Sequence, residues 1–447
     1  MSVTCFVSYE IHPTTWGGCG VLIHHAAEHL LAAGHQVVLL LDVPESYFQT
    51  FVDKDRLGLS NPDRCRAYRV DALCEDFAFS QAQVPCIFQY KSLRFLHALR
   101  KVQALERPDF VEFFDYCGPG YYTFVDRLFA RQTSSTPVLG CRLHGTIEIL
   151  DRFGAGSAKD IDRLTLYAME HRALALAESV LSPSNAYYEA FYRGVYDLEP
   201  ERAILSPPPK LPFAPVTGRP SSKGAFNIVF IGRMFHLKGV DQFVHAAVML
   251  LKRRPDLTCN VELIGYDSTE SPVPGSYTKY LQTLIPARLR ERFVFTGQLS
   301  HDGISQRLNQ ALFAVFPNRT ESFCYALHEA YDAGVPVIVN DLPAFRDFFT
   351  HERNALVYDS STGGLAAAME QLIGDDSLRE RLCRPYPVAE HPLGPFYDQP
   401  IALRALGDRS PSQREGPGVG SLVTEGAAPA QPGDAQPPLI VVLCSSS

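Results

Sequence analysis

Short apolar runs alternate with longer helix-periodic segments along this chain, and a proline-rich stretch breaks the alternation near its middle. No other feature constrains the fold as strongly. Apolar runs too short for helices, each followed by an amphipathic segment, are the signature of a parallel sheet covered by helices. In the first half, strands are expected over 5–9, 37–41, 110–114, 138–142 and 179–181. A helix over 21–33 should stop at Gly34, and a long amphipathic helix should cover 160–177. Ser206-Pro207-Pro208-Pro209-Lys210 then opens a segment running on to Pro220-Ser221-Ser222-Lys223-Gly224. Proline supports neither ladder nor helix there, so 206–224 reads as a linker. A second strand–helix series follows, with strands expected over 226–231, 260–264, 293–296, 314–316 and 335–339. Two similar α/β layers joined by a linker make a cleft, and ligands of open parallel sheets sit at the carboxyl ends of the strands.

Bulk numbers narrow the function. The 447 residues suffice for two domains of ordinary size, and 46% hydrophobic against 20% charged residues is the balance of a chain with real cores. The net charge of −8 comes without any dense Lys/Arg run, which argues against nucleic acid as a partner. The 11 cysteines include no C-x2-C pair, which argues against zinc, and their scatter points to reduced thiols in a cytosolic setting. No apolar stretch reaches the ~18 residues that span a bilayer. Met1-Ser2-Val3-Thr4-Cys5-Phe6 enters a strand with no basic region before it, unlike a signal peptide. Peripheral contact at the inner face of a membrane is left open.

The chemistry concentrates in the second half. Glu321-Ser322-Phe323-Cys324-Tyr325-Ala326-Leu327-His328-Glu329 holds two carboxylates eight positions apart, between an apolar run and Gly334. The context reads strand, polar turn, helix, glycine stop, strand. A helix starting near Phe323 presents unpaired N–H groups and a positive dipole end, both suited to phosphate. At ~1.5 Å rise per residue, Glu329 would lie roughly 10 Å beyond Glu321 along the axis. That spacing is too long for two carboxylates serving one bond, but it suits the two ends of a nucleotide-sugar. Two solvated helix glutamates are the bland alternative.

Other residues join this pair. Gly232-Arg233 and Lys238-Gly239 follow the strand over 226–231, so two cations converge at a helix start, where a departing nucleoside diphosphate would need stabilising. Solvated loop cations are the alternative. Trp16-Gly17-Gly18-Cys19-Gly20 opens the first helix, and its glycines would let a phosphate or sugar approach backbone donors. The dinucleotide pattern G-x-G-x-x-G is absent, and a plain tight turn explains the loop equally well. His144, in Leu143-His144-Gly145-Thr146, falls at a strand's carboxyl end and is read as a sugar-positioning residue. Glu112 and Asp115 end the strand over 110–114, where they would either meet acceptor hydroxyls or cap the next turn. Asn318, Arg319 and Thr320 should shape the sugar pocket, with His236 and His328 left to packing or surface.

The glutamate spacing resembles the E-x7-E motif of retaining GT-B glycosyltransferases of the family-4-like kind, the group 1 glycosyl transferases. The Gly232-Arg233 and Lys238-Gly239 pattern resembles that family's G-R-x4-K-G element, and Gly17-Gly18 its Gly-Gly loop. The resemblance implies a GT-B fold of two Rossmann-like domains, 1–205 and 225–384. It implies that Glu321 binds the transferred sugar and Glu329 the ribose. Arg233 and Lys238 would contact the diphosphate, with Gly17, Gly18, Gly232, Ser322, Phe323 and Cys324 around the donor. His144 would sit beside the sugar. Cys324 departs from the pattern, since the family carries glycine there. Gly265-Tyr266-Asp267 departs from its G-x-G loop at Asp267.

The implied activity is transfer of a sugar from a nucleotide-sugar to an acceptor hydroxyl with retention, and neither cofactor nor metal is called for. The acceptor would enter from the first domain, and closure of the cleft would exclude water. Two rivals use the same architecture, a nucleotide-sugar epimerase or hydrolase and a non-catalytic binding protein. Donor base, sugar and acceptor cannot be read from these residues. From Pro385 on, the chain holds 11 of its 33 prolines, so 385–447 is expected to be mostly disordered, and Pro385 and Pro387 would interrupt the family's final crossing helix. The run 439–444 reads as an isolated strand, the start of a further domain or an altered end.

Overall fold

Two parallel sheets, each built from one half of the chain, organise the computed structural model. It describes residues 2–15, 17–53, 59–129, 136–154, 160–199, 202–210, 213–218, 220–269 and 275–383. The first sheet contains β1 (Val3–Ser8), β2 (Gln36–Leu41), β3 (Cys65–Arg69), β4 (Phe110–Phe114), β5 (Val138–Arg142), β6 (Ser179–Ser182) and β7 (Ala203–Leu205). Their order is β3-β2-β1-β4-β5-β6-β7. The second contains β8 (Phe226–Ile231), β9 (Cys259–Ile264), β10 (Phe293–Gly297), β11 (Ala311–Phe316), β12 (Val337–Asn340) and β13 (Leu356–Tyr358), ordered β10-β9-β8-β11-β12-β13. The fold is thus a pair of Rossmann-like α/β domains, and both sheets belong to one compact unit.

Helices on both faces explain why the central strands read as continuous apolar runs rather than alternating ones. Every residue of β11 is buried, as is all of β8, and β2 exposes only part of Gln36. Register places Phe6 between Leu39 and Glu112, and Val229 between Glu262 and Ala314. Each fully buried large apolar side chain contributes about 1.5–3 kcal/mol relative to exposure, which fixes that register.

Three strands escape the apolar-run rule. In β3, Cys-Arg-Ala-Tyr-Arg alternates because the strand is an edge, paired only with β2, and only Cys65 is buried. Two further edge strands, β7 and β13, have three residues each and are too short to show a pattern, whereas the fourth edge, β10, has five and follows the expected run. Expected bounds also shift. Pro336 has no N–H to donate, so β12 starts at Val337 rather than 335. The helix near Phe323 starts at Tyr325, which leaves Glu321 in the turn before it. The helices over 21–33 and 160–177 are observed as Gly18–Ala32 and Ile161–Leu176.

Residues 206–210 carry neither helix nor strand, and this stretch is anchored by Lys210 Nζ, 2.6 Å from the Asp332 carboxylate. Trp16 and the segment 385–447 lie outside the described residues. No helix among the described residues is long and apolar enough to cross a membrane. Strand order reverses between β1 and β4 and again between β8 and β11, which is where α/β sheets open a crevice at their strand ends.

Candidate active site

A cavity of about 1070 Å³ lies between the two sheets. Gly17, Gly18 and His144 line it from the first sheet's side. Gly232, Arg233, Lys238, Glu321, Ser322, Phe323, Cys324 and Glu329 line it from the second. The fold therefore brings these expected residues to one space. Glu112 and Asp115 are not among the lining residues.

The loop after β8 meets the turn after β11 because of one glycine. Gly239 has φ +66°, and a Cβ there would lie 1.8 Å from the Pro317 carbonyl oxygen. Any side chain at 239 would push the two loops apart. With glycine in place, Lys238 Nζ lies 2.5 Å from Glu321 Oε2. Asn318 Nδ2 donates to the same oxygen at 2.8 Å, and the Ser322 amide donates to Oε1 at 3.2 Å. Arg319 turns away from the cavity. It holds Asp241 with two bonds of 2.7 and 2.8 Å and also donates to the His236 carbonyl, so it braces the Lys238 loop instead of shaping the sugar pocket. Burial works to neutralise both Glu321 and Lys238. Their mutual attraction overrides it, holding the carboxyl below and the ammonium above its usual range.

Cys324 caps the helix Tyr325–Asp332 in a left-handed conformation, φ +67° and ψ 78°, and no side chain caps the helix. This is the conformation that favours glycine, and it explains why glycine is the expected residue there. The Leu327 and His328 amides bond the Cys324 carbonyl at 3.1 and 3.3 Å. N–H groups of a first helical turn have no earlier carbonyl to bond, and the dipole adds to their affinity for an anion. Burial pushes the Cys324 thiol up to about 12, and Glu321 adds to that, so the sulfur faces the cavity as a neutral group. Beneath the turn, Phe323 stacks on the fully buried His328, with ring centroids 4.1 Å apart and planes 12° from parallel. Glu329, on the same helix, is pushed up by burial and by Asp332, against the pull of His301 and Lys210.

The first sheet's contribution is held from behind. Asp115, just past β4, is 1% exposed and accepts from the His144 amide at 2.8 Å, the Gly145 amide at 3.2 Å and the Tyr192 hydroxyl. Glu170, fully buried, accepts from the Ile147 and Cys117 amides, each at 3.0 Å. Two buried carboxylates thus fix the loop that presents His144. Burial lowers the His144 imidazole to about 4, against the pull of Glu321, so it is neutral at pH 7. Asp115 is raised by burial to about 6, despite the bonds it accepts.

These contacts correct two expectations about acceptor binding. Glu112 is fully buried inside the sheet, with Arg142 Nε 2.5 Å from its Oε1, and Arg142 also donates to the Ser206 carbonyl at 2.9 Å. Neither Glu112 nor Asp115 is free to meet an acceptor in the cleft, because each is already bonded in the interior.

The glycine loop also differs from expectation. A Cβ at Gly17 would fall 1.8 Å from Glu10 Oε1, and one at Gly18 would fall 2.7 Å from His144 Cε1. Both glycines make room for side chains of the protein itself. Glu10 Oε2 accepts the Gly20 amide at 3.0 Å, so part of the helix start that seemed open to phosphate is taken. Sequence reasoning missed Glu10; an acid just past a strand and ahead of a glycine loop was the available signal. Among the described residues, no group of three or more His, Cys, Asp or Glu side chains is placed to hold a metal ion.

Known proteins resemble this chain in sequence and in fold. Residues 225–375 match the family model for glycosyl transferases group 1, and residues 17–209 match that for the glycosyl transferase 4-like domain. The chain is 29% identical over 185 residues to alpha-D-kanosaminyltransferase of Streptomyces kanamyceticus, a match spanning 38% of this chain and 43% of that protein. Sucrose-phosphate synthase from Thermosynechococcus elongatus has a similar fold, with TM-score 0.65 and 16% identity over 91% of this chain and 98% of that one. So does Anabaena Alr3699/HepE in complex with UDP, with TM-score 0.60 and 14% identity over 91% of this chain and all of that one. The two family models together cover most of the chain, in order, one on each sheet. The chain belongs to the family-4-like glycosyltransferases of the GT-B fold.

Proposed function

We propose that this protein is a retaining glycosyltransferase that moves a sugar from a nucleoside-diphosphate donor to an acceptor hydroxyl. One observation carries the reading: Lys238 and Glu321 form an ion pair on the wall of a cavity that His144 enters from the opposite sheet. A cation, a carboxylate and a neutral imidazole in one space supply a leaving-group charge, a sugar-hydroxyl acceptor and a sugar-positioning group. The start of the helix at Tyr325 adds N–H donors for phosphate. Anabaena Alr3699/HepE, whose fold this chain shares, has been solved with UDP and with UDP-glucose, which supports a nucleotide-sugar donor.

In this reading Arg233 and Lys238 hold the diphosphate, Glu321 the transferred sugar and Glu329 the ribose. The acceptor oxygen forms a bond to the anomeric carbon on the face from which the diphosphate departs. The bond from that carbon to the phosphate oxygen breaks, and the acceptor's proton passes to the departing phosphate oxygen. Lys238 stabilises the charge that builds on the leaving group. The donor and acceptor are held in one cavity, which makes the step effectively unimolecular.

The test is incubation with UDP-, GDP- and ADP-sugars and a panel of hydroxyl acceptors, with the product's anomeric configuration read by NMR. A retained configuration is expected. An inverted product would overturn the retaining mechanism. Sugar release or epimerisation as the main reaction without acceptor would replace the transferase with a hydrolase or epimerase.

A further inference from the structure

We propose that Glu10 is a built-in competitor of the donor's diphosphate, a carboxylate that occupies helix donors and faces a cation the diphosphate would use. This rests on the donor site proposed above and adds a residue with no place in it. Glu10 follows β1 and lines the cavity. Its Oε2 accepts the Gly20 amide at 3.0 Å, in the first turn of the helix Gly18–Ala32. Its Oε1 lies where a side chain at Gly17 would begin, so it lies against the glycine loop. Its own amide donates to Ser8 Oγ at 2.9 Å, which fixes the residue at the strand end.

Three features mark Glu10 as more than a helix cap. It is an acidic side chain bonded to a helix start where no flanking side chain caps the helix. Arg233, from the opposite sheet, lines the same cavity, and its charge favours the ionised form of Glu10. Burial nevertheless raises its carboxyl, so its charge is incompletely compensated where it stands. A diphosphate drawn to Arg233 meets this like charge on the facing wall. The consequence is a weaker hold on the donor and on the released nucleoside diphosphate, which favours turnover over tight product binding.

Glu10→Gln tests the idea, because the amide oxygen can still accept the Gly20 N–H while the charge is gone. Calorimetry at one pH and ionic strength would compare UDP, GDP and ADP with their parent nucleosides, for wild type and variant. For whichever diphosphate wild type binds, Glu10→Gln should tighten binding by about tenfold, the size of one screened charge–charge interaction. Affinity for the nucleoside should stay as it was. Glu10→Asp, which keeps the charge, should not tighten diphosphate binding. If Glu10→Gln does not fold, Glu10→Ser repeats the comparison without the charge. Weaker or unchanged diphosphate binding in the uncharged variant overturns the proposal, as does an equal change for nucleoside and diphosphate. A wild type that binds none of the three diphosphates overturns the donor site itself, and this proposal with it.

Discussion

The two halves of the cavity wall are built differently. In the second half, the candidate site comes from two contiguous stretches, 232–239 and 318–329, each following a central strand. In the first half it comes from Glu10, Gly17 and Gly18 of one loop and from His144, whose own loop is held by buried groups far away in sequence. Asp115 and Glu170 hold the His144 loop, and the Glu112–Arg142 pair ties β4 to β5 behind it. Local sequence can write a glycine, a cation and a helix start. A loop held by buried carboxylates can be written only by the whole fold. The second half thus resembles a motif set on a sheet, and the first a scaffold that presents single residues.

Perturbations should separate the two. The largest effect is expected in the second half, where Lys238→Ala removes the proposed leaving-group cation and leaves Glu321 without its ion-pair partner. Turnover should fall by roughly a thousandfold, the upper range for losing one preorganised electrostatic group, a loss larger than the drop in thermal stability from leaving Glu321 unpaired explains. Steady-state kinetics beside a melting curve would check it. If activity survives, the motif half does not carry the chemistry.

The opposite pattern is expected in the scaffold. Glu112→Ala strands a buried guanidinium and should cost about 3–5 kcal/mol of stability, measured by urea denaturation. Any activity loss at low temperature should be smaller than that of Lys238→Ala. An exposed, unimportant pair would leave the urea midpoint where it was.

Acid should act through buried imidazoles of both halves. Burial lowers His328 to about 3 and His144 to about 4, below the unfolded value of 6.5. Their contribution to stability is complete above pH 6.5. It is lost as pH falls toward those folded values, because the unfolded chain takes protons that the folded one refuses. Each histidine should contribute up to about 1.4 kcal/mol of loss per pH unit in that window. His328→Phe, which keeps a ring against Phe323, should shallow the decline in melting temperature between pH 6.5 and 4. An unchanged slope would show that His328 titrates freely.

The smallest effect concerns Cys324. A non-glycine residue at φ +67° is strained by about 1–2 kcal/mol, partly offset by the greater unfolded freedom of glycine. Cys324→Gly should therefore raise the melting temperature by a few degrees at most. A change in donor preference without a change in stability would make the thiol a selectivity device instead of a tolerated strain.

The same contrast sets how much was legible in the sequence. The α/β architecture and ten of the 13 strands among the described residues follow from apolar runs, since strands covered on both faces need continuous apolar sequence. The three that escaped are edge strands, where one side has no neighbour and the pattern fades. In the site, Lys238, Glu321 and Glu329 were legible because each sits in a strand–turn–helix context. Glu112 was misread because nothing in its own segment shows that Arg142 lies beside it in the sheet. Glu10 was missed for a related reason, since its partners at Gly17 and Gly20 matter only once the loop folds back over it. Cys324 was legible as a departure from pattern, and the left-handed backbone supplies the physical reason.

The most direct test of the donor site is calorimetric titration of the wild-type protein and Glu329→Ala with UDP, GDP and ADP. The proposed site predicts saturable one-to-one binding of at least one diphosphate, weakened about tenfold or more in the variant, as expected for losing a hydrogen bond to a charged group. Binding of none of them by the wild type, or equal affinity in both proteins, would contradict it.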